Sequence, residues 1–234
     1  DPFFLNEMVK LVRLETKAKH ATLESIPFEQ FIALKKAGFS DSWLAKTWNT
    51  TVDKVKAKRY DCGIFPIYHA IQAYTESDKE LAEYYYVTWM TEEEMKASGN
   101  SVLDKQLYRL ANGRKDASIF KTQINTDKNV SEQREKILII GSGPIRIGQG
   151  IEFDYCSVQG IQTLQKFGYE AVLINNNPAT VSTDYEMADK LYVEPITADD
   201  VLLVMEHENI NKAIVQFGGQ TAINLVKELE AAGV

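Results

Sequence analysis

Residues 136–155 read KILIIGSGPIRIGQGIEFDY. The first five are a continuous apolar run, the signature of a strand covered on both faces. Four glycines follow within ten residues, and a helix pattern begins behind them, with Val158, Ile161 and Leu164 at steps of three. Working outward, EAVLI (170–174) gives a second strand, LYVE (191–194) a third and AIVQF (213–217) a fourth. Between the last two lies TADDVLLVMEHE, with Thr197 as N-cap and two acids in the first turn, where the helix dipole favours them. The last helix sets Ala222, Leu225, Val226 and Leu229 at i, i+3, i+4 and i+7. Strands alternating with helices predict an α/β domain of doubly wound parallel-sheet type over 136–234.

In such a sheet, ligands gather at the C-terminal strand ends. Those ends here are GSGPIRIGQG, NNNPATVST and GGQT, which make Gly141, Gly143, Asn175, Asn177, Gly218, Gly219, Gln220 and Thr221 the residues facing a site. Glycines let backbone approach a ligand, and helix N-termini present N–H groups to an anion. A dinucleotide fingerprint fails: the third glycine position holds Arg146, and asparagines stand where a ribose-binding acid belongs. A Walker loop fails too, since no Lys-Ser or Lys-Thr follows the glycines. Arg146 and Glu152 have two readings, an exposed ion pair of little worth or a guanidinium fork for a small carboxylate or carbamate, held by the acid. The asparagines also fit a turn. Asp154 and Tyr155 read as structural, holding the helix start.

Toward the N-terminus the pattern changes. Pro2 to about Lys19 carries one apolar stripe (Phe4, Leu5, Met8, Leu11, Val12) and reads as a helix. IPFEQFIALKKAGF is a second helix stopped by Gly38, SDSWLAKTW a third capped by Ser40, and TTVDKVKAKRYDCG a fourth, capped by Thr50 and stopped by Gly63. IFPIYHAIQAY and ESDKELAEYYY read as two further short pieces, so 1–90 is expected to be a small all-helical bundle. Residues 91–135 read as a polar linker with one helix near 101–111, poor in apolar residues over 121–133.

Charge divides the same way. Residues 1–136 hold 21 Lys and Arg against 20 Asp and Glu, whereas residues 137–234 hold 5 against 13. The acidic half argues against non-specific nucleic-acid binding. Cys62 and Cys156 lie far apart and read as free thiols of a reducing, cytoplasmic compartment. The three histidines lack ligand spacing, so no metal site is expected, and no run is long and apolar enough for a membrane span. The opening DPFFL sits mid-pattern, as in a piece of something longer. Two other functions compete. SDSWLAKTWNTTVDKVKAKR outlines a helix-turn-helix, with Leu44, Ala45, Val52 and Val55 as seam and Lys46, Lys54, Lys56, Lys58 and Arg59 as bases. The aromatic surplus of 1–90 (Phe3, Phe4, Trp43, Trp48, Tyr84, Tyr85, Tyr86, Trp89) fits a pure subunit-interaction module.

GSGPIRIGQGIEFDYC, NNNPATVSTDYEMADKLYVEP and IVQFGGQT resemble, nearly residue for residue, the large subunit of carbamoyl phosphate synthetases. RIGQGIEFDYC and TVSTDY resemble its second, carbamoyl-phosphate-forming half, which makes 136–234 a pre-ATP-grasp domain. DPFFLNEMVKLVRLE, LKKAGFSDSWLAK and GIFPIYHAIQAY resemble the helical oligomerisation domain before it, although QAYTESDKELAEYYYVTW and the long 91–133 stretch depart from the family pattern. The resemblance implies a ligase making carbamoyl phosphate from bicarbonate, ammonia and two ATP, for arginine or pyrimidine biosynthesis. It implies ATP with Mg²⁺ or Mn²⁺, and K⁺, in the full-length enzyme, and a glutaminase subunit as partner. It implies self-association through the helical domain, and binding of neither nucleic acid nor membrane. It also implies that Arg146, Gly150 and Glu152 form part of an interior carbamate passage. No catalytic residue is expected within 1–234, because the nucleotide-binding groups of the family lie in the next domain.

Overall fold

The computed structural model describes residues 1–71, 83–98, 134–144, 151–184 and 186–234. Two compact units divide the chain: among the described residues, one holds 1–67 and 88–98, the other 68–71, 83–87 and 134 onward.

The first unit begins as four helices. In α1 (Pro2–Lys19), Asp1 Oδ1 accepts from Phe3 N–H at 2.8 Å and Pro2 fills the first turn. α2 (Phe28–Lys36) stops ahead of Gly38, whose φ of +88° takes the chain out of the helix. α3 (Asp41–Thr47) is capped by Ser40, as expected, with Oγ accepting from Trp43 N–H at 3.1 Å. α4 (Val52–Asp61) is capped by Thr51, not by Thr50; Thr50 N–H closes the end of α3 on Ala45 O at 2.9 Å. Phe31, Leu34, Leu44, Ala45, Trp48, Val55 and Ile64 make the core. Only the C-terminal end of α1 (Leu14, Ala18) joins it, and Phe3, Phe4, Leu5, Met8 and Val12 are exposed.

A buried ion cluster ties these helices together. Asp41 accepts from Lys35 Nζ at 2.7 Å and from Arg59 Nε at 3.0 Å, and Trp89 lies over both cations. Burial opposes the charge on Asp41, but Lys35 and Arg59 outweigh it and hold the carboxyl below its ordinary pKa.

Helical structure does not continue to residue 90 as the sequence led us to expect. Ile64–Ile71 and Glu83–Thr91 are strands, β1 and β2. α5 (Glu92–Ala97) follows, with a capping box between Thr91 and Glu94, inside the stretch read as polar linker. The expected helix near 101–111 and the tail 121–133 lie outside the described residues.

The second unit is built on β3 (Lys136–Ile140), α6 (Ile151–Lys166), β4 (Glu170–Ile174), β5 (Lys190–Tyr192), α7 (Ala198–Glu208), β6 (Ala213–Ile214), α8 (Gly219–Ile223) and α9 (Val226–Ala231). Sheet order is β1-β2-β5-β4-β3-β6, and β2/β5, β5/β4, β4/β3 and β3/β6 all pair in parallel. β3 and β4 run in register from Lys136 opposite Glu170 to Ile140 opposite Ile174. Because strand side chains alternate, Leu138, Ile140, Val172, Ile174 and Tyr192 pack on one face against Val201, Val204 and Met205 of α7, with Ala222 and Leu229. Ile139, Ala171, Leu173 and Leu191 pack on the other against Ile161 and Leu164 of α6. A sheet covered on both faces explains the unbroken apolar runs.

Three elements are shorter than predicted. The LYVE strand ends at Tyr192, and its span is Lys190–Tyr192. AIVQF is a strand only at Ala213–Ile214 and then turns 3-10 over Gln216–Gly218. The single last helix is two, α8 and α9.

Candidate functional site at the strand ends

The chain leaves β3, adds β4 and β5 on one side, then returns to place β6 on the other. The order therefore reverses at the β3/β6 pair, the position where open α/β sheets form a crevice at the C-terminal strand ends. Three of the predicted segments meet there.

Gly141 is buried at the end of β3, and its N–H donates to Ile174 O at 2.8 Å. A Cβ at Gly141 would lie 2.5 Å from Asn175 Cγ, so the asparagine occupies the space that a side chain would need. Asn175 is 2% exposed. Its Oδ1 accepts from Gly143 N–H at 3.0 Å and from Asn176 N–H at 2.9 Å. One amide thus holds the start of the glycine loop and its own strand end. Gly143 has φ +72°, where a side chain is strained.

On the β6 side, a Cβ at Gly218 would lie 2.5 Å from both Ile140 O and Gly141 O. Phe217 lies against α6 at Gly160, where a Cβ would run into the ring. These contacts require the bend that cuts β6 short.

The loop after β4 is tied to the start of α6. Asp154 Oδ2 accepts from Val181 N–H at 2.9 Å and Oδ1 from Ser182 N–H at 3.0 Å. Asp154 is structural, as expected, but it holds the 3-10 turn Val181–Thr183 of a different loop. Asn177 behaves as the turn residue: its Oδ1 accepts from Ala179 N–H at 3.2 Å. Thr183 Oγ1 lies 2.9 Å from the carbonyls of Asn177 and Thr180, which closes the loop on itself. Among the described residues, Asn176 Oδ1 and Ser182 Oγ are buried without a partner.

The structure therefore brings Gly141, Gly143, Asn175 and Gly218 together. Gly219 follows with φ +60°, while Gln220 and Thr221 are exposed on α8. Arg146 and Gly150 lie outside the described residues; Glu152 is in the first turn of α6, and its side chain lies outside them as well. Asn175→Ala should strand two N–H groups and cost about 2–3 kcal/mol, read as a lower urea midpoint with unchanged m.

Two known domain families match the chain. Residues 133–234 match the carbamoyl phosphate synthase preATP-grasp domain, and residues 1–63 match the oligomerisation domain of the carbamoyl-phosphate synthetase large chain. The chain belongs to the carbamoyl phosphate synthase large-chain family. It is 46% identical over 234 residues to the carbamoyl phosphate synthase arginine-specific large chain of Geobacillus stearothermophilus, covering 100% of this chain and 19% of that protein. It is 40% identical over 235 residues to the protein of the same name from Bacillus subtilis, covering 100% of this chain and 20% of that one. The carbamoyl phosphate synthase large chain of Methanothermobacter thermautotrophicus is 38% identical over 234 residues, 100% of this chain and 19% of that protein. The chain thus spans about a fifth of the length of the curated relatives it matches.

In this member of the carbamoyl phosphate synthase family, no group of three or more His, Cys, Asp or Glu among the described residues could hold a metal ion. No helix among them is long and apolar enough to cross a membrane. The helix-turn-helix outline does not present all of its bases to a duplex: Arg59 is 0% exposed and bound to Asp41, and Val52, assigned to the seam, is exposed.

Two acids of the preATP-grasp unit went unnoticed in the sequence. Glu208, at the end of α7, is buried against Lys136, Lys190 and Tyr192 OH. Burial alone would raise its pKa, but the Lys136 hydrogen bond, the Lys190 charge and the Tyr192 hydroxyl bring it down to about 2. Glu194, just past β5, is the opposite case: burial pushes it up to about 7 against the lowering effect of Val87 N–H. Neither has a motif signal. Each lies where strand and helix patterns meet.

Proposed function

We propose that this chain is part of a glutamine-dependent carbamoyl phosphate synthase. That enzyme makes carbamoyl phosphate from bicarbonate, glutamine-derived ammonia and two ATP, and residues 136–234 supply part of the passage that carries carbamate between its two phosphorylation sites. One observation carries the proposal: described residues on either side of 145–150 are bound to the stretch that follows β4. Asn175 fixes Gly143 on one side, and Asp154, on the first turns of α6, fixes Val181 and Ser182 on the other. A passage wall needs this kind of anchoring, because carboxyphosphate and carbamate decompose in water and must stay enclosed.

The residue types suit the task. Arg146 supplies a guanidinium to an anion in transit. Gly150 leaves clearance, and Glu152 pairs with Arg146 or orients a proton donor. ATP, Mg²⁺ or Mn²⁺, and K⁺ belong to the complete enzyme, where the divalent ion supplies charge neutralisation at the transferred phosphate. Among the described residues no group of three or more His, Cys, Asp or Glu could hold the divalent ion. A glutaminase subunit is the proposed partner, and the unit matching the oligomerisation domain supports self-association. The arginine-specific names of two of these relatives favour the arginine branch, and a cytoplasmic location is part of the same proposal. The proposed division of the chain is an oligomerisation domain over 1–90, a linker over 91–135 and a preATP-grasp domain from 136.

The test is Gly150→Phe in the complete large chain with its glutaminase. Bicarbonate-dependent ATP hydrolysis should persist while carbamoyl phosphate output falls at least about tenfold, because a benzyl group fills the bore without touching either phosphorylation site. Equal loss of both activities would overturn the assignment.

A further inference from the structure

Strand β2 passes from one compact unit to the other between Val87 and Thr88. Its ladder to β5 ends at the same place. Tyr85 pairs with Tyr192, Tyr85 O accepts from Val193 N–H at 2.8 Å, and Val87 N–H goes to the side chain of Glu194. A carboxyl group thus takes the place that a strand carbonyl would hold, and closes the ladder at the residue where β2 leaves the unit.

The surroundings of Glu194 disfavour its charge. It is 5% exposed. Asp200 acts on it from α7, held there by Thr197 Oγ1 at 2.5 Å from Asp200 Oδ2. Tyr68 feels its charge from β1, and His207 of α7 lies against that ring, tilted by 33° with 4.2 Å between centroids. Among the described residues no Lys, Arg or His forms an ion pair with it, in contrast to Glu208, which has two lysines. One backbone N–H is a modest counterweight to burial and a like charge.

We propose that Glu194 is a proton-operated clasp on β2, shut when its carboxyl is protonated and loosened when it ionises. A protonated carboxyl keeps a carbonyl oxygen for Val87 N–H and needs no counter-ion. The ionised form gains by moving to water, and the last residues of the β2 ladder open with it. The pKa of about 7 places the change near neutral pH. The sign follows from linkage. An acid whose pKa is raised in the closed form favours closure at low pH, and the opening constant grows roughly tenfold per pH unit until the raised value is reached. This clasp is independent of the carbamate passage and would hold if that assignment failed.

The experiment is amide hydrogen exchange at Val87, followed by NMR on the 234-residue chain from pH 5 to 8 and corrected for the intrinsic rate. The opening constant should rise roughly tenfold per unit up to about pH 7 and then level off. Glu194→Gln keeps the acceptor and removes the titration, so its profile should be flat. A flat wild-type profile, or the same rise in the Gln variant, would overturn the clasp. Should Glu194→Gln not fold, Asp200→Asn serves instead: removing the like charge should make the rise level off at lower pH, and an unmoved plateau would equally overturn it.

Discussion

Gly218→Ala should destabilise the second unit by about 4 kcal/mol or more, near the upper end of single-substitution effects and a large part of a domain's whole stability. The backbone torsions are not the reason: φ of −82° suits any residue. The added Cβ would stand 2.5 Å from two carbonyl oxygens of the β3 end and 2.6 Å from Ala222 Cβ. Backbone atoms in the middle of a sheet cannot move aside as a flexible side chain does. Gly38→Ala makes the opposite control. Nothing lies within 4 Å of its added Cβ, but its φ is +88°, so the cost should be only the strain of a left-handed residue, about 1 kcal/mol. Urea melts of the two variants, followed by circular dichroism, would separate them. A Gly218→Ala chain as stable as the parent would mean that the packing of β6 on β3 is wrong.

Glu208→Gln should cost about 3 kcal/mol near neutral pH, because it leaves two lysines and a tyrosine hydroxyl around a group that no longer carries charge. The lower end of the usual range applies, since the lysine side chains are each 23% exposed. The pH dependence has a definite sign. The folded-state pKa of about 2 lies below the ordinary 4.5. The stabilisation is therefore fully present above pH 4.5 and is lost as pH falls through 2. Glu194 works the other way: raised to about 7 from 4.5, it contributes stability that is present below pH 4.5 and lost as pH rises through 7. Melting curves of Glu208→Gln from about pH 2 to 7 should converge on the parent at the acid end. A constant gap would contradict the assignment.

The strands KILII and EAVLI were legible because both faces of the sheet are covered, and an unbroken apolar run of that length, bounded by turn residues, fits a buried strand better than a short helix. β1 and β2 were not. IFPIYHAI carries apolar residues at spacings that serve either a helix or a strand. Pro66 was the available clue, since proline is costly inside a helix but tolerated in an edge strand, and β1 is the edge of this sheet. EYYYVTW showed the aromatic and β-branched content of a strand, but the polar stretch ahead of it drew the reading toward helix. AIVQF was cut short by a contact with no sequence signature, the seat of Gly218 on the end of β3.

The site was partly legible in the same sense. The glycines and Asn175 could be placed from strand ends alone. That Asn175 fills the space Gly141 leaves open required coordinates. So did the burial of Arg59, which counting charges along a helix had put on a DNA-facing surface.

We propose that segment 145–150 lines a conduit and is not part of either reaction centre. The most direct measurement pairs the two half-reactions in Gly150→Phe large chain: bicarbonate-dependent ATP hydrolysis at one end, and ATP formation from carbamoyl phosphate and ADP at the other. Both should stay within about twofold of the parent while overall synthesis is lost. Loss of either half-reaction in parallel with synthesis would place the segment in a reaction centre and contradict the account.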